Sequence, residues 1–327
     1  MELVILIILL GLLFDYTNGF HDSANVVSTV IATGAMRPFA AIGLASLLNA
    51  IGATQTSKVA ETITSGLVVT SASTQVLILA ALIGAIIWNI FTARLGLPSS
   101  SSYALVGGLL GVAVMFKGID SVIWQGVLYK VVIPMVLSPF IGFGIAYLLM
   151  KLLYKFTHHT KRNSAFFKHI QIFSAGLVAL AHGFNDAQKS MAMITLGLFS
   201  AGIISAPHIP LWVILSCALV MGLGTAFGGY RIIQTVGFHL TKIEPMQGFA
   251  AETSASIVIL SAGFLGMPIS STQMIVGSVT GVGTAKKWKA VEWLVANKLI
   301  LTWIVTMPAA GFLAALAYYI MQFFLGQ

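Results

Sequence analysis

Long apolar runs, interrupted by short polar or glycine-rich breaks, organise this chain. Residues 1–14, 38–54, 74–93, 122–150, 209–226 and 299–321 are almost free of charge. A membrane-crossing helix needs about 20 apolar residues, so these runs predict a chain of transmembrane helices. Segments 79–116 and 249–285 read differently. Each is two apolar arms of about 14–16 residues, short of a full crossing, joined by a Gly-Pro-Ser tip. That pattern predicts re-entrant hairpins whose non-helical tips sit at membrane depth. Such backbone is tolerated only where protein buries it or a watered cavity wets it.

Composition supports the reading. Hydrophobic residues make up 58% of the 327 and charged residues 8%, against about a quarter charged in soluble domains. The expectation is an all-α integral membrane protein with no soluble domain. Glu2 stands where a secretory signal would carry Lys or Arg, so the first run reads as a retained helix. The single cysteine, Cys217, can build neither a disulfide nor a thiolate metal site within one chain. The net charge of +8 falls mainly at predicted helix ends, which points to membrane topology and not to a nucleic-acid partner.

Two segments recur. Gly19-Phe20-His21-Asp22-Ser23-Ala24-Asn25 matches Gly183-Phe184-Asn185-Asp186-Ala187-Gln188-Lys189. Gly96-Leu97-Pro98-Ser99-Ser100-Ser101-Ser102 matches Gly266-Met267-Pro268-Ile269-Ser270-Ser271-Thr272. The offsets, 164 and 170 residues, keep order and spacing, which indicates duplication. The expected layout is a first repeat over 1–154, a basic connector over 155–165 and a second repeat over 166–327. With the polar stretch 155–169 cytoplasmic, Arg37, Lys151, Lys155, Lys161, Arg162, Lys168, Arg231, Lys242, Lys286, Lys287 and Lys289 fall inside, and only Lys58 and Lys117 outside. That bias predicts inverted repeats in the cytoplasmic membrane with both termini outside. Inverted repeats place a transport site at their interface near the midplane.

Four carboxylates fall away from predicted helix ends: Asp15, Asp22, Asp186 and Glu252. A charge at the bilayer centre costs about 3 kcal/mol or more and is a functional hypothesis by default. Asp22 and Asp186 occupy matching places, each in what reads as a Gly- and Asn-containing break, hence a discontinuous helix. Carboxylate, amide and freed carbonyl oxygens suit a small hard cation such as Na+. Capping of half-helices is the structural alternative. The hydroxyl-rich tips, Ser99, Ser100, Ser101 and Ser102 with Ser270, Ser271 and Thr272, suit an anion at helix starts; N-capping explains one serine in each tip, not four in succession. Lys189 stands where the first motif has Asn25 and reads either as a fixed charge near Asp186 or as a phosphate partner. Arg94 either contacts the anion or snorkels, and Lys298 snorkels. Glu252, with no acidic counterpart in the first repeat, is a candidate coupling-ion or proton site.

These motifs resemble the inorganic phosphate transporter (PiT) family of sodium- or proton-coupled permeases, whose duplicated signature reads roughly Gly-Ala-Asn-Asp-Val-Ala-Asn. The resemblance extends through Ala181 and His182, Gln247 to Glu252, the second tip and Gly281-Val282-Gly283, and is nearest the short bacterial members. It implies that Asp22, Asn25, Asn185, Asp186 and Gln188 hold coupling ions and that the hairpin serines hold phosphate. It also makes Glu252 a family glutamate tied to transport. His21 departs from the signature and leaves proton coupling open. Tyr103 and Gln273 stand where a His often follows the tips.

The expectation is therefore cation-coupled symport of inorganic phosphate by alternating access, Na+ favoured over H+, with no enzymatic activity, cofactor or transition metal. Sulfate permeation on the same fold is the nearest rival. An intramembrane aspartyl protease would use two buried aspartates, but it leaves the serine tips without a role. A homo-oligomer and a cytoplasmic regulator docking on 155–169 stay open.

Overall fold

A computed structural model describes residues 2–67, 74–157, 164–227 and 229–325. Over these residues the chain is mainly helical, with one isolated bridge between Thr241 and Val291. The first half comprises α1 (Glu2–Ala32), α2 (Pro38–Ala53), α3 (Lys58–Gly66), α4 (Gln75–Leu95) and α5 (Ser101–Lys117). A 3-10 turn and the short α6 (Trp124–Gly126) then lead through a π turn into α7 (Ile133–Thr157). The second half follows the same order: α8 (Ser164–Ser200), α9 (Leu211–Ala226), α10 (Tyr230–Gln234), α11 (Pro245–Phe264), α12 (Ser271–Lys286) and α13 (Trp293–Leu325).

Details recur between the halves. The span from α2 into α3 bends by 60°, and that from α9 through α10 by 64°. The Trp124 indole donates to Ile119 O, and the Trp293 indole donates to Trp288 O. Glycines mark the closest helix approaches: a Cβ on Gly52 would lie 2.1 Å from Leu180 O, and one on Gly224 would lie 2.4 Å from Tyr16 O. Gly107 meets Met307 O on α13 in the way that Gly277 meets Pro139 O on α7.

Helices α1 and α8 form the centre. Gly197 lies against Ile7, Ser190 against Asp15 and Gln171 against Thr33, so the two run antiparallel. Both are unbroken, of 31 and 37 residues, which corrects the expected discontinuity at the Asp motifs. Gly19 and Gly183 do not break the helices; they admit neighbouring backbone. A Cβ at Gly19 would stand 2.7 Å from Met221 O, and one at Gly183 would stand 2.0 Å from Asn49 O.

The hairpins form as helix–tip–helix units, with arms of 21 and 17 residues in the first and 20 and 16 in the second; α4 and α11 thus exceed the expected length. Each tip turns on a glycine in the left-handed region, Gly96 (φ 67°) and Gly266 (φ 69°), a conformation that L side chains rarely adopt. Among the described residues, four helical stretches are long and apolar enough to cross a bilayer: Glu2–Ala32, Gln75–Leu95, Trp124–Thr157 and Trp293–Phe324. The polar middle of α8 is wrapped by protein, with residues 181–198 buried throughout. Of the expected connector, residues 158–163 lie outside the described residues, among them His158, His159, Lys161 and Arg162.

Candidate functional site

Within each tip one serine caps the following helix. Ser100 accepts from Tyr103 N and Ser270 from Gln273 N, each satisfying an amide that the helix start leaves free. That leaves the next hydroxyls free to face the central helices. Ser101 Oγ lies 2.5 Å from Asp22 Oδ2 and 2.7 Å from Asn18 Oδ1; its single proton serves one acceptor at a time. Thr272 of the other hairpin donates to Asp22 Oδ1 at 3.0 Å. Ser271 donates to Asp186 Oδ2 at 2.8 Å. Both tips therefore converge on the two aspartates of α1 and α8, and all of these residues are buried.

Spacing on α1 and α8 supplies the rest. Residues four apart share a helix face, so Asn18 stands one turn before Asp22, and His182 one turn before Asp186. His21 Nδ1 lies 2.8 Å from Asp22 Oδ1, and its Nε2 faces Thr92 and Ser99 at 3.2 and 3.4 Å. His182 Nε2 lies 3.2 Å from Asp186 Oδ2, and Lys189 Nζ forms an ion pair with Asp186 Oδ1 at 2.9 Å. Asn25 Nδ2 donates to Thr272 Oγ1 at 3.0 Å, leaving its buried Oδ1 unpartnered. Asp22, His182 and Asp186 offer ligand atoms within 4.8 Å of one another. These three groups are near enough to one another to hold a small cation.

Several expected residues stand elsewhere. Gln188 Oε1 accepts from the backbone amides of Val59 and Ala60 at 2.8 and 3.0 Å, tying α8 to the start of α3. Asn185 Nδ2 donates to Met267 O, and its Oδ1 has no hydrogen-bond partner. Ser102 donates to Ile269 O, joining the two tips. Glu252 is buried in a pocket of its own, accepting from Thr29 (2.6 Å), Gln171 (3.0 Å) and Ser174 (2.5 Å). Thr29 follows Asp22 by seven residues on α1, about 10 Å along the axis. Arg94 is exposed; its carbonyl accepts from the Arg231 guanidinium, so it lies outside the cluster. Lys298 is exposed as well. Tyr103 and Gln273 bond to each other and line an apolar cavity of about 580 Å³ beside α7 and α13.

Sequence reading missed Asn18, His182 and Thr92. The signal for the first two was available, one helical turn before each Asp, but only if the helices continue through the motifs. No described hydrogen bond joins the two carboxylates, and each takes a hydroxyl from a hairpin tip, an arrangement with no part in aspartyl proteolysis.

Comparison with known proteins agrees. A Mycobacterium tuberculosis protein named "Probable low-affinity inorganic phosphate transporter" is 44% identical, covering 98% of this chain and 78% of that protein. Proteins with the same name from Rhizobium meliloti and Bacillus subtilis are 42% and 41% identical, covering 97–98% of this chain and 96–97% of theirs. A solved structure titled "The sodium-dependent phosphate transporter" superposes with a TM-score of 0.91 at 24% identity, covering 99% of this chain and all of that one; the likeness is one of fold. The phosphate transporter family matches residues 18–314, and the chain belongs to that family: it is a multi-pass membrane transporter of phosphate and not an enzyme.

Proposed function

We propose that this protein is a cation-coupled phosphate symporter working by alternating access, and that Na+ at Asp22 is what frees the hairpin tips for phosphate. The observation that carries the reading is the use of the tip hydroxyls: Ser101 and Thr272 donate to Asp22, and Ser271 to Asp186. A donor spent on a carboxylate cannot serve an anion, and two carboxylates would repel phosphate. A cation at Asp22 removes both obstacles. It takes the carboxylate oxygens, with Asn18 Oδ1, the open Asn25 Oδ1 and the hydroxyl oxygens as further hard ligands. The hydroxyl protons then turn toward an anion held between the helix starts of α5 and α12. The bound cation offsets the Asp22 charge, as Lys189 offsets that of Asp186, so the anion enters a site without net charge and the tips close on it.

The recurring geometry of the two halves supports an inverted repeat with re-entrant hairpins. The charge bias supports the cytoplasmic membrane with both termini outside. The fold neighbour's title supports Na+ as the coupling ion. A second reading, proton coupling, rests on His21 at 2.8 Å from Asp22.

Uptake of radiolabelled phosphate into proteoliposomes under an imposed Na+ gradient, an imposed H+ gradient, or neither tests the proposal. Uptake driven by Na+, resistant to excess sulfate and lost in Asp22→Asn and Asp186→Asn is expected. Drive by H+ alone favours the His21 reading. Uptake abolished by sulfate would reassign the anion.

A further inference from the structure

The two Asp motifs are matched in position but not in charge. Taking each aspartate as origin, the residue four before it is Asn18 in α1 and His182 in α8, and the residue one before it is His21 in α1 and Asn185 in α8. Imidazole and amide exchange places, so the pair keeps the same side-chain types. The residue three after breaks the exchange: Asn25 in α1, Lys189 in α8.

The surroundings follow that difference. Around Asp22 the partners are neutral hydroxyls and an imidazole, and the Asn25 carbonyl oxygen stands buried without a partner. An unpaired buried acceptor beside a carboxylate is what a mobile cation would satisfy. Around Asp186 one carboxylate oxygen faces the Lys189 ammonium at 2.9 Å, and the other faces Ser271 and His182. Lys189 is 1% exposed and is the only buried Lys or Arg among the described residues. Two further carboxylates of α1 feel its charge: Asp15, which accepts from Ser190 at 2.9 Å, and Asp22. A buried ammonium survives only with a carboxylate partner, so Lys189 and Asp186 hold each other in place.

We propose that the Lys189 ammonium is a resident cation occupying the coupling-ion position at Asp186, so that the Asp-motif pair loads one mobile cation, at Asp22, where a symmetric pair would load two. The inference rests on the symport reading above. An amide oxygen stands open on both sides, Asn25 Oδ1 and Asn185 Oδ1, so it is the fixed ammonium at Asp186 that sets the two sides apart. Lys189 thereby belongs to the cation side of the site and not to phosphate.

The test counts cations. Initial phosphate uptake is measured against Na+ concentration in proteoliposomes for the parent, Lys189→Asn and Lys189→Arg, and 22Na+ bound per chain is counted at saturation in detergent. Lys189→Asn, which makes the motifs alike, is expected to raise the cation order of uptake by one and to bind one more 22Na+. Lys189→Arg is expected to keep the parent's order and count. Asn25→Lys is the converse, lowering both by one. If Lys189→Asn abolishes uptake, the 22Na+ count still decides. An unchanged order and count in Lys189→Asn, with a raised KM for phosphate, overturns the proposal and makes Lys189 a phosphate ligand. A parent protein indifferent to Na+ and H+ fails the symport reading itself, a separate result read before any variant.

Discussion

Gly183→Ala tests how far the site depends on the packing of α8 against α2. The added Cβ would lie 2.0 Å from Asn49 O and 2.7 Å from Asn49 C and Cα. Ordinary contact needs roughly 3.2–3.4 Å, so the helices must part by about 1 Å; inserting a methyl into a packed interior costs about 1–3 kcal/mol. Asp186 sits less than one turn along α8, so it moves with the helix. A displacement of about 1 Å at a positioned group can cost about 100-fold in rate. The expected outcome is a lowered thermal midpoint in detergent and phosphate uptake down by one to two orders of magnitude. Because the clash is with backbone, Asn49→Ala should not rescue it. At Gly11 the clash is with Ile194 Cγ1, at 2.6 Å, and Ile194→Ala, which removes that atom, should rescue Gly11→Ala. Gly43 has nothing within 4 Å, so Gly43→Ala should be neutral or stabilise by about 0.5–1 kcal/mol. Wild-type uptake and melting in Gly183→Ala would refute the packing argument.

Other expectations follow from the division of labour at the tips. Ser101→Ala and Thr272→Ala each remove a hydroxyl that the account turns toward the bound anion, a charged hydrogen bond worth about 1.5–3 kcal/mol, and should weaken apparent substrate affinity about 10- to 100-fold. Ser100→Ala removes only a cap and should cost about 1 kcal/mol in stability with KM nearly unchanged, so equal KM effects for Ser100 and Ser101 would contradict the assignment. Gln188→Ala strands two buried amides at the start of α3, each costing about 1–3 kcal/mol; a melting loss without a change in 22Na+ count is expected. Arg94→Ala should leave uptake within about twofold of the parent, since its side chain is exposed and away from the cluster, and a large KM increase would restore it as an anion contact.

The tips were legible because their turn chemistry is local. A glycine that must adopt positive φ, a proline and a capping serine lie within a few residues at each tip. The aspartate pairing was legible through duplication. The continuity of α1 and α8 was not, because Gly19 and Gly183 look like breaks unless one knows which backbone approaches them, and those neighbours, Met221 and Asn49, are more than 100 residues away. Misreading the helices hid Asn18 and His182, whose part depends on helical phase. Arg94 misled for a related reason: four residues before Pro98 it looks like a tip residue, yet it belongs to the last turn of α4 and faces outward. Gln188 sits between site residues in sequence but turns to the amides of α3, a partner that no local pattern reveals.

The central claim is that a cation at Asp22 releases the tip hydroxyls to phosphate, so the two ligands must bind with a shared coupling energy. Equilibrium binding of 32P-phosphate at rising Na+, and of 22Na+ at rising phosphate, measures it in both directions on the purified protein. The account predicts that each ligand tightens the other by the same factor, and that Ser101→Ala reduces that factor. Phosphate binding of equal strength with and without Na+ or H+ would contradict it.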